Sequence, residues 1–143
     1  MRKTLWGWGL ILLVFAVPLS AQQAQGPPPV DFGENFPNPF WPSTTIPFTL
    51  NQELCRGGRR PVVALRIVNV LAQPVAVAVL RGSNSLRLDG VRLSCGRYLA
   101  DWDGQFDESG QELSAGVYLA VLTVDGQRYV GRMIARRSPP VVP

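Results

Sequence analysis

The residues most able to do chemistry in this chain crowd into one stretch, Asp101-Trp102-Asp103-Gly104-Gln105-Phe106-Asp107-Glu108-Ser109-Gly110-Gln111-Glu112. Carboxylates at alternating positions are what a calcium ion takes as ligands. When Asp101 opens a calcium loop of the helix-loop-helix type, Asp103, Asp107 and Glu112 fall on ligand positions. The match then breaks down, because Phe106 stands where the sharp turn needs Gly and no helical pattern flanks the loop. Two readings follow. The acids and glycines make turns in a β-connection, or Asp103, Asp107 and a backbone carbonyl hold calcium weakly at extracellular concentrations.

Other chemistry finds less material. The 143 residues contain no His, which removes every Ser-His-Asp arrangement, every His-ligated metal and the usual neutral-pH proton shuttle. Serines and single carboxylates are present, but no nucleophile is paired with a base. Two carboxylates could hydrolyse a glycoside, yet Asp101, Asp103 and Asp107 share one short connection. We expect no catalytic residue, no enzyme and no cofactor. Cys55 and Cys95 are the only cysteines and lack the CxxC spacing of a metal site.

The start of the chain reads as an export signal. Arg2 and Lys3 precede the apolar run Leu5 to Val17, Pro18 breaks it, and Ala21 supplies a small residue for cleavage. The run is shorter than the roughly 20 apolar residues a membrane span needs. Removing residues 1–21 takes away Arg2 and Lys3, so the net charge drops from +4 to 12 Arg against 10 acids, or +2. That balance gives no support to a nucleic-acid partner. Export into an oxidising compartment favours a Cys55–Cys95 bridge.

The remaining chain must position these groups with strands. Residues 22–33 are Gly- and Pro-rich at first and read as a linker. Ile46, Phe48 and Leu50 alternate with Thr45 and Thr49, and Pro47 suits an edge strand. Asn51 to Pro61 reads as a loop whose Arg56, Arg59 and Arg60 are solvated. Val63, Leu65 and Ile67 form the inner face of a strand that hairpins with Pro74 to Leu80, where Val75, Val77 and Val79 share a face. Residues 82–96 are the least regular, with room for one short strand at Leu86 and Leu88. Tyr98, Ala100 and Trp102 alternate, and Asp125-Gly126 joins two further strands as a hairpin. The expectation is an all-β, immunoglobulin-like antiparallel sandwich over residues 34–137, followed by a disordered tail, 138–143.

Four stretches in order carry a family resemblance. They are Asn35-Phe36-Pro37-Asn38-Pro39-Phe40-Trp41-Pro42 through Phe48, Val63-Ala64-Leu65-Arg66-Ile67 through Val75, Gly96 through Gly104 with Asp107 and Gly110, and Leu113-Ser114-Ala115-Gly116-Val117-Tyr118 with Arg132-Met133-Ile134. Together they resemble the C-terminal immunoglobulin-like sorting domain of the type IX secretion system and the related domain of the flagellar hook-capping protein. The resemblance implies a sandwich of about seven strands. In it Asn38, Pro39 and Phe40 open the module, Trp102 is core, Asp103 caps a turn ending at Gly104, and Gly116 and Tyr118 set the next strand. Val68 stands where the family has Tyr and Ala72 where its turn has Gly, while residues 81–95 and the Cys pair look like local additions. The family's module usually follows a large passenger, and here a linker precedes it.

Two functions follow as expectations. One is a targeting module read by secretion machinery or a cell-envelope protein, with membrane contact only during export. The alternative is a secreted structural or adhesion module that binds a protein or glycan. Either places the protein outside the cell or on the outer-membrane surface, with the periplasm as the other location.

Overall fold

The computed structural model describes residues 26–142, so the expected signal and cleavage site lie outside the described residues. Within them, short runs of alternating residues form nine strands: β1 (Val30–Phe32), β2 (Thr44–Leu50), β3 (Val62–Asn69), β4 (Pro74–Val77), β5 (Val79–Leu80), β6 (Asp89–Arg92), β7 (Gly96–Trp102), β8 (Gly116–Val124) and β9 (Gln127–Ala135). All strand pairs are antiparallel. One sheet runs β1-β2-β7-β5, and the other runs β4-β3-β8-β9 with β6 on the far part of β3. The fold is an all-β sandwich.

The inner faces follow the period of two. Ile46, Phe48, Leu50, Val63, Leu65, Ile67, Ala100, Trp102, Ala120, Leu122 and Met133 are buried between the sheets, while Arg66 points out from β3. Asp125 and Gly126 both take positive φ (46° and 83°), and β8 and β9 pair along their full length from this turn.

Several elements differ from the sequence expectation for identifiable reasons. The sandwich starts before residue 34, because Val30 to Phe32 of the supposed linker pair with Leu50 to Phe48. Pro47 therefore lies in an interior strand. Its carbonyl accepts Gly33 N–H at 3.0 Å, so the missing amide proton faces the short β1 flank and takes nothing from β7. Pro74 to Leu80 is two strands in different sheets. The chain changes sheets at Ala78, which is fully buried and bonds Leu65 and Leu88 on the two sides, so Val77 and Val79 stay half-exposed while Ala76 and Ala78 are buried. Residues Gln52–Gly58 form a 3-10 turn in the expected loop. The short strand in the irregular part is β6, one residue after the fully buried Leu88. The count is nine strands against about seven because β1, of 3 residues, is added and Pro74 to Leu80 divides into β4 and β5. Residues 138–142 are exposed and belong to no strand.

Candidate functional site

The strand register brings the acid-rich connection and the aromatic residues singled out in sequence to one end of the sandwich, with Cys55 and Cys95 at the other. Thr44 of β2 pairs with Trp102 of β7, and Asn69 of β3 pairs with Tyr118 of β8. The Trp102 ring lies 5.3 Å from Phe40 and 6.0 Å from Tyr118, the latter edge-on. Buried aromatic pairs at these separations gain about 1 kcal/mol beyond their area. Phe40 is 2% exposed and Trp102 3%, so both are core residues. Of the other aromatics in the Pro-rich segment, Trp41 is half-buried and Phe36 is 50% exposed.

The Asn38-Pro39-Phe40 segment also ties the two sheets together. Phe36 bonds Thr45 of β2 in both directions, at 2.8 and 2.9 Å. Four residues later Phe40 N–H donates to Ile134 at 2.8 Å, and its carbonyl accepts Arg136 N–H at 2.8 Å. The Asn38 side chain accepts Ile134 N–H at 3.0 Å. Gly104 sits under this segment: a Cβ there would lie 1.9 Å from the Pro42 carbonyl oxygen, and its φ is +74°. Only Gly permits both the turn and the approach.

The acids of the connection are spread over four separate tasks. Asp101 accepts two hydrogen bonds from Arg81, at 2.8 and 2.5 Å, and one from the Thr45 hydroxyl at 2.8 Å. The Arg81 bonds hold its carboxyl below the usual carboxylate range against the opposing effect of desolvation, and Thr45 adds to the lowering. The same pair raises Arg81. Asp103 accepts Gln105 N–H at 3.0 Å and caps the turn, beside a 3.1 Å bond from the Trp102 indole to the Gln105 carbonyl. Asp107 accepts Arg87 at 2.6 Å and Val77 N–H at 2.8 Å. Glu112 accepts the Trp41 indole N–H. Asp103 and Asp107 do line one cleft of about 450 Å³, but Arg81 and Arg87 share its wall. Among the described residues, no group of three or more Cys, Asp or Glu side chains is arranged to hold a metal ion.

Two devices escaped sequence reading. Asn35 and Thr44 are buried polar residues, 5% and 3% exposed. Asn35 donates to Thr44 at 3.0 Å, and both donate to the Pro37 carbonyl, which folds the proline segment back on itself. The second is a short repeat. Ser94-Cys95-Gly96-Arg97-Tyr98 and Ser114-Ala115-Gly116-Val117-Tyr118 share the pattern S-x-G-x-Y. In each the tyrosine hydroxyl donates to the carbonyl of the serine, at 2.7 and 2.8 Å, and the glycine has positive φ. The spacing is visible in sequence to anyone who aligns the two strand starts. Burial also raises the Tyr118 phenol above its ordinary value.

The chain matches no known family model, curated protein or solved structure. Cys55 and Cys95 are bonded, with Cα atoms 6.0 Å apart. Among the described residues, no helix is long and apolar enough to cross a membrane. The disulfide is compatible with an exported protein.

Proposed function

We propose that this chain is a non-catalytic exported module that serves in secretion or cell-surface targeting, in the manner of the type IX sorting domains it resembles. The reading rests on one observation above others. Phe40, Trp102, Gly104 and Tyr118 come from three separate stretches of the resemblance, and they meet in one cluster that closes an end of the sandwich. The acids nearby are bound to arginines and N–H groups of the same fold, so this end supports recognition of the whole module better than a reaction. Its work is then to be read by a secretion machine and delivered outside or onto the surface.

The test is a reporter inserted between residues 21 and 22, so that residues 22–143 follow it. In a host with the type IX machine the reporter should reach the medium or the surface, and it should stay periplasmic in the same host without the machine. Retention in both hosts overturns the targeting reading. It leaves the second reading, a secreted structural or adhesion module with a protein or glycan partner, which the exposed stretch of β9 favours.

A further inference from the structure

Strand β9 is the outer strand of its sheet, and only part of that edge is covered. Main-chain groups of alternate residues face alternate sides of a strand. Ile134 and Arg136 face away from β8, because both bond Phe40 there. Arg128, Val130 and Arg132 share that orientation by the same alternation. The Asn38 amide reaches the Arg132 carbonyl at 3.4 Å. Among the described residues, no hydrogen bond reaches the outward N–H and C=O groups of Arg128 or Val130, or the N–H of Arg132. This open stretch borders a groove of about 340 Å³, with Gly33, Glu34 and Asn35 on its other wall.

The side chains along the edge form a pattern. Arg128, Val130 and Arg132 all point away from the core, and Val130 is 57% exposed. The five ion pairs among the described residues use Arg56, Arg59, Arg66, Arg81 and Arg87. Among the described residues neither Arg128 nor Arg132 has an acid partner, and Glu34 across the groove pairs with neither. Cationic, apolar and cationic residues thus alternate beside unpaired main-chain groups.

We propose that the edge of β9 from Arg128 to Arg132 is a strand-addition site for an extended protein segment that carries acid, apolar and acid at every second residue, in the pattern acid-x-apolar-x-acid. Such a segment would bond the open main-chain groups, set its acids opposite Arg128 and Arg132, and lay an apolar side chain on Val130. A second copy of this chain fits poorly. Paired antiparallel about Val130, it would set Arg128 of one chain opposite Arg132 of the other, and like charges directly opposite repel. This inference gives partner chemistry to the recognition reading above, and its test needs no secretion host.

The probe is a short peptide containing Glu-Thr-Val-Thr-Glu, whose Glu, Val and Glu share one strand face, titrated onto the purified protein and followed by amide exchange and chemical shifts. The expected result is binding that weakens as salt rises, with new protection at Arg128, Val130 and Arg132. The matching Lys-Thr-Val-Thr-Lys peptide should bind weaker by about tenfold or more, the equivalent of losing two surface ion pairs and gaining repulsion at the same places. The doubly reversed variant, Arg128→Glu with Arg132→Glu, should invert that preference. Both arginines are exposed, and near-ultraviolet circular dichroism reports whether the variant keeps its fold. If it does not, the two peptides on the unaltered protein decide the question alone. No binding in the millimolar range overturns the proposal, as does equal binding of both peptides or protection confined to other strands. A dimer of the unaltered protein with these amides already protected overturns it as well.

Discussion

The two ends of the sandwich are closed by different means. At one end, Phe40, Trp102 and Tyr118 pack together, Gly104 fits beneath Pro42, and Asn38 and Phe40 bond β9. At the other, Cys55 is joined to Cys95, while Leu93 N–H donates to Pro61 and Asp125 N–H to Val62. Arg59 pairs with Asp125 there, and Arg60 and Arg92 donate to each other's carbonyls. The S-x-G-x-Y turn serves both: Tyr118 stands against Trp102, and Tyr98 stacks on Phe48 at 5.3 Å. One end thus depends on shape among residues far apart in sequence. The other depends on a covalent link between two loop segments. Packing can be lost by a single truncation, whereas the disulfide acts mainly on the unfolded chain.

The largest effect should come from emptying the aromatic end. Trp102→Ala removes the central ring and should destabilise the fold by about 4 to 5 kcal/mol in denaturant unfolding. A loss below about 1 kcal/mol would mean that the cluster does not hold this end. Replacing both cysteines by Ser should cost about 4 kcal/mol in the chain-entropy model for a closed loop of this length, while the aromatic contacts stay intact by near-ultraviolet circular dichroism. Loss of the aromatic signal in that variant would show that the ends are not separable.

Ala72 gives a smaller effect of opposite sign. It has a φ of 61° in the β3–β4 turn, where Asn69 accepts the N–H groups of Leu71 and Gln73. An L-residue is strained there, so Ala72→Gly should stabilise by about 1 kcal/mol. Unchanged or lower stability would contradict that strain.

The smallest effect is in the pH dependence of the Arg81–Asp101 pair, which is half-exposed. Arg81, with Thr45, lowers the Asp101 carboxyl in the folded state. Its contribution is therefore complete above the unfolded carboxylate value of about 3.9. It is lost as pH falls through that value toward the lowered one. Asp101→Asn should flatten the melting curve's pH dependence in that acid range and leave its slope near neutrality unchanged. An equal acid slope in both proteins would remove Asp101 as a contributor.

Much of the frame was legible because alternation is strong where one face is buried. Ile46-Phe48-Leu50, Val63-Leu65-Ile67 and Tyr98-Ala100-Trp102 all read correctly, and so did the Asp125-Gly126 hairpin. Pairing was harder. Pro47 looked like an edge residue because sequence does not show which side of a strand its missing N–H faces. The sheet change at Ala78 was hidden because Val75, Val77 and Val79 alternate evenly across it. Val30 to Phe32 carried too few residues to show a period. At the candidate site, Asp103 as a turn cap and Trp102 as core were expected from the resemblance. The partners of Asp101, Asp107 and Glu112 were not, because Arg81, Arg87 and Trp41 reach them from other segments. The buried Asn35–Thr44 pair carries no sequence signal beyond two ordinary polar residues.

The acid-rich connection closes the fold and is already bound by it. The most direct test of this is a thermal melt of the purified protein in millimolar calcium and again in excess chelator. The same midpoint is expected in both, because Asp101, Asp103, Asp107 and Glu112 are held by separate donors. A midpoint raised by several degrees in calcium would contradict it, and would return Asp103 and Asp107 to the role of metal ligands.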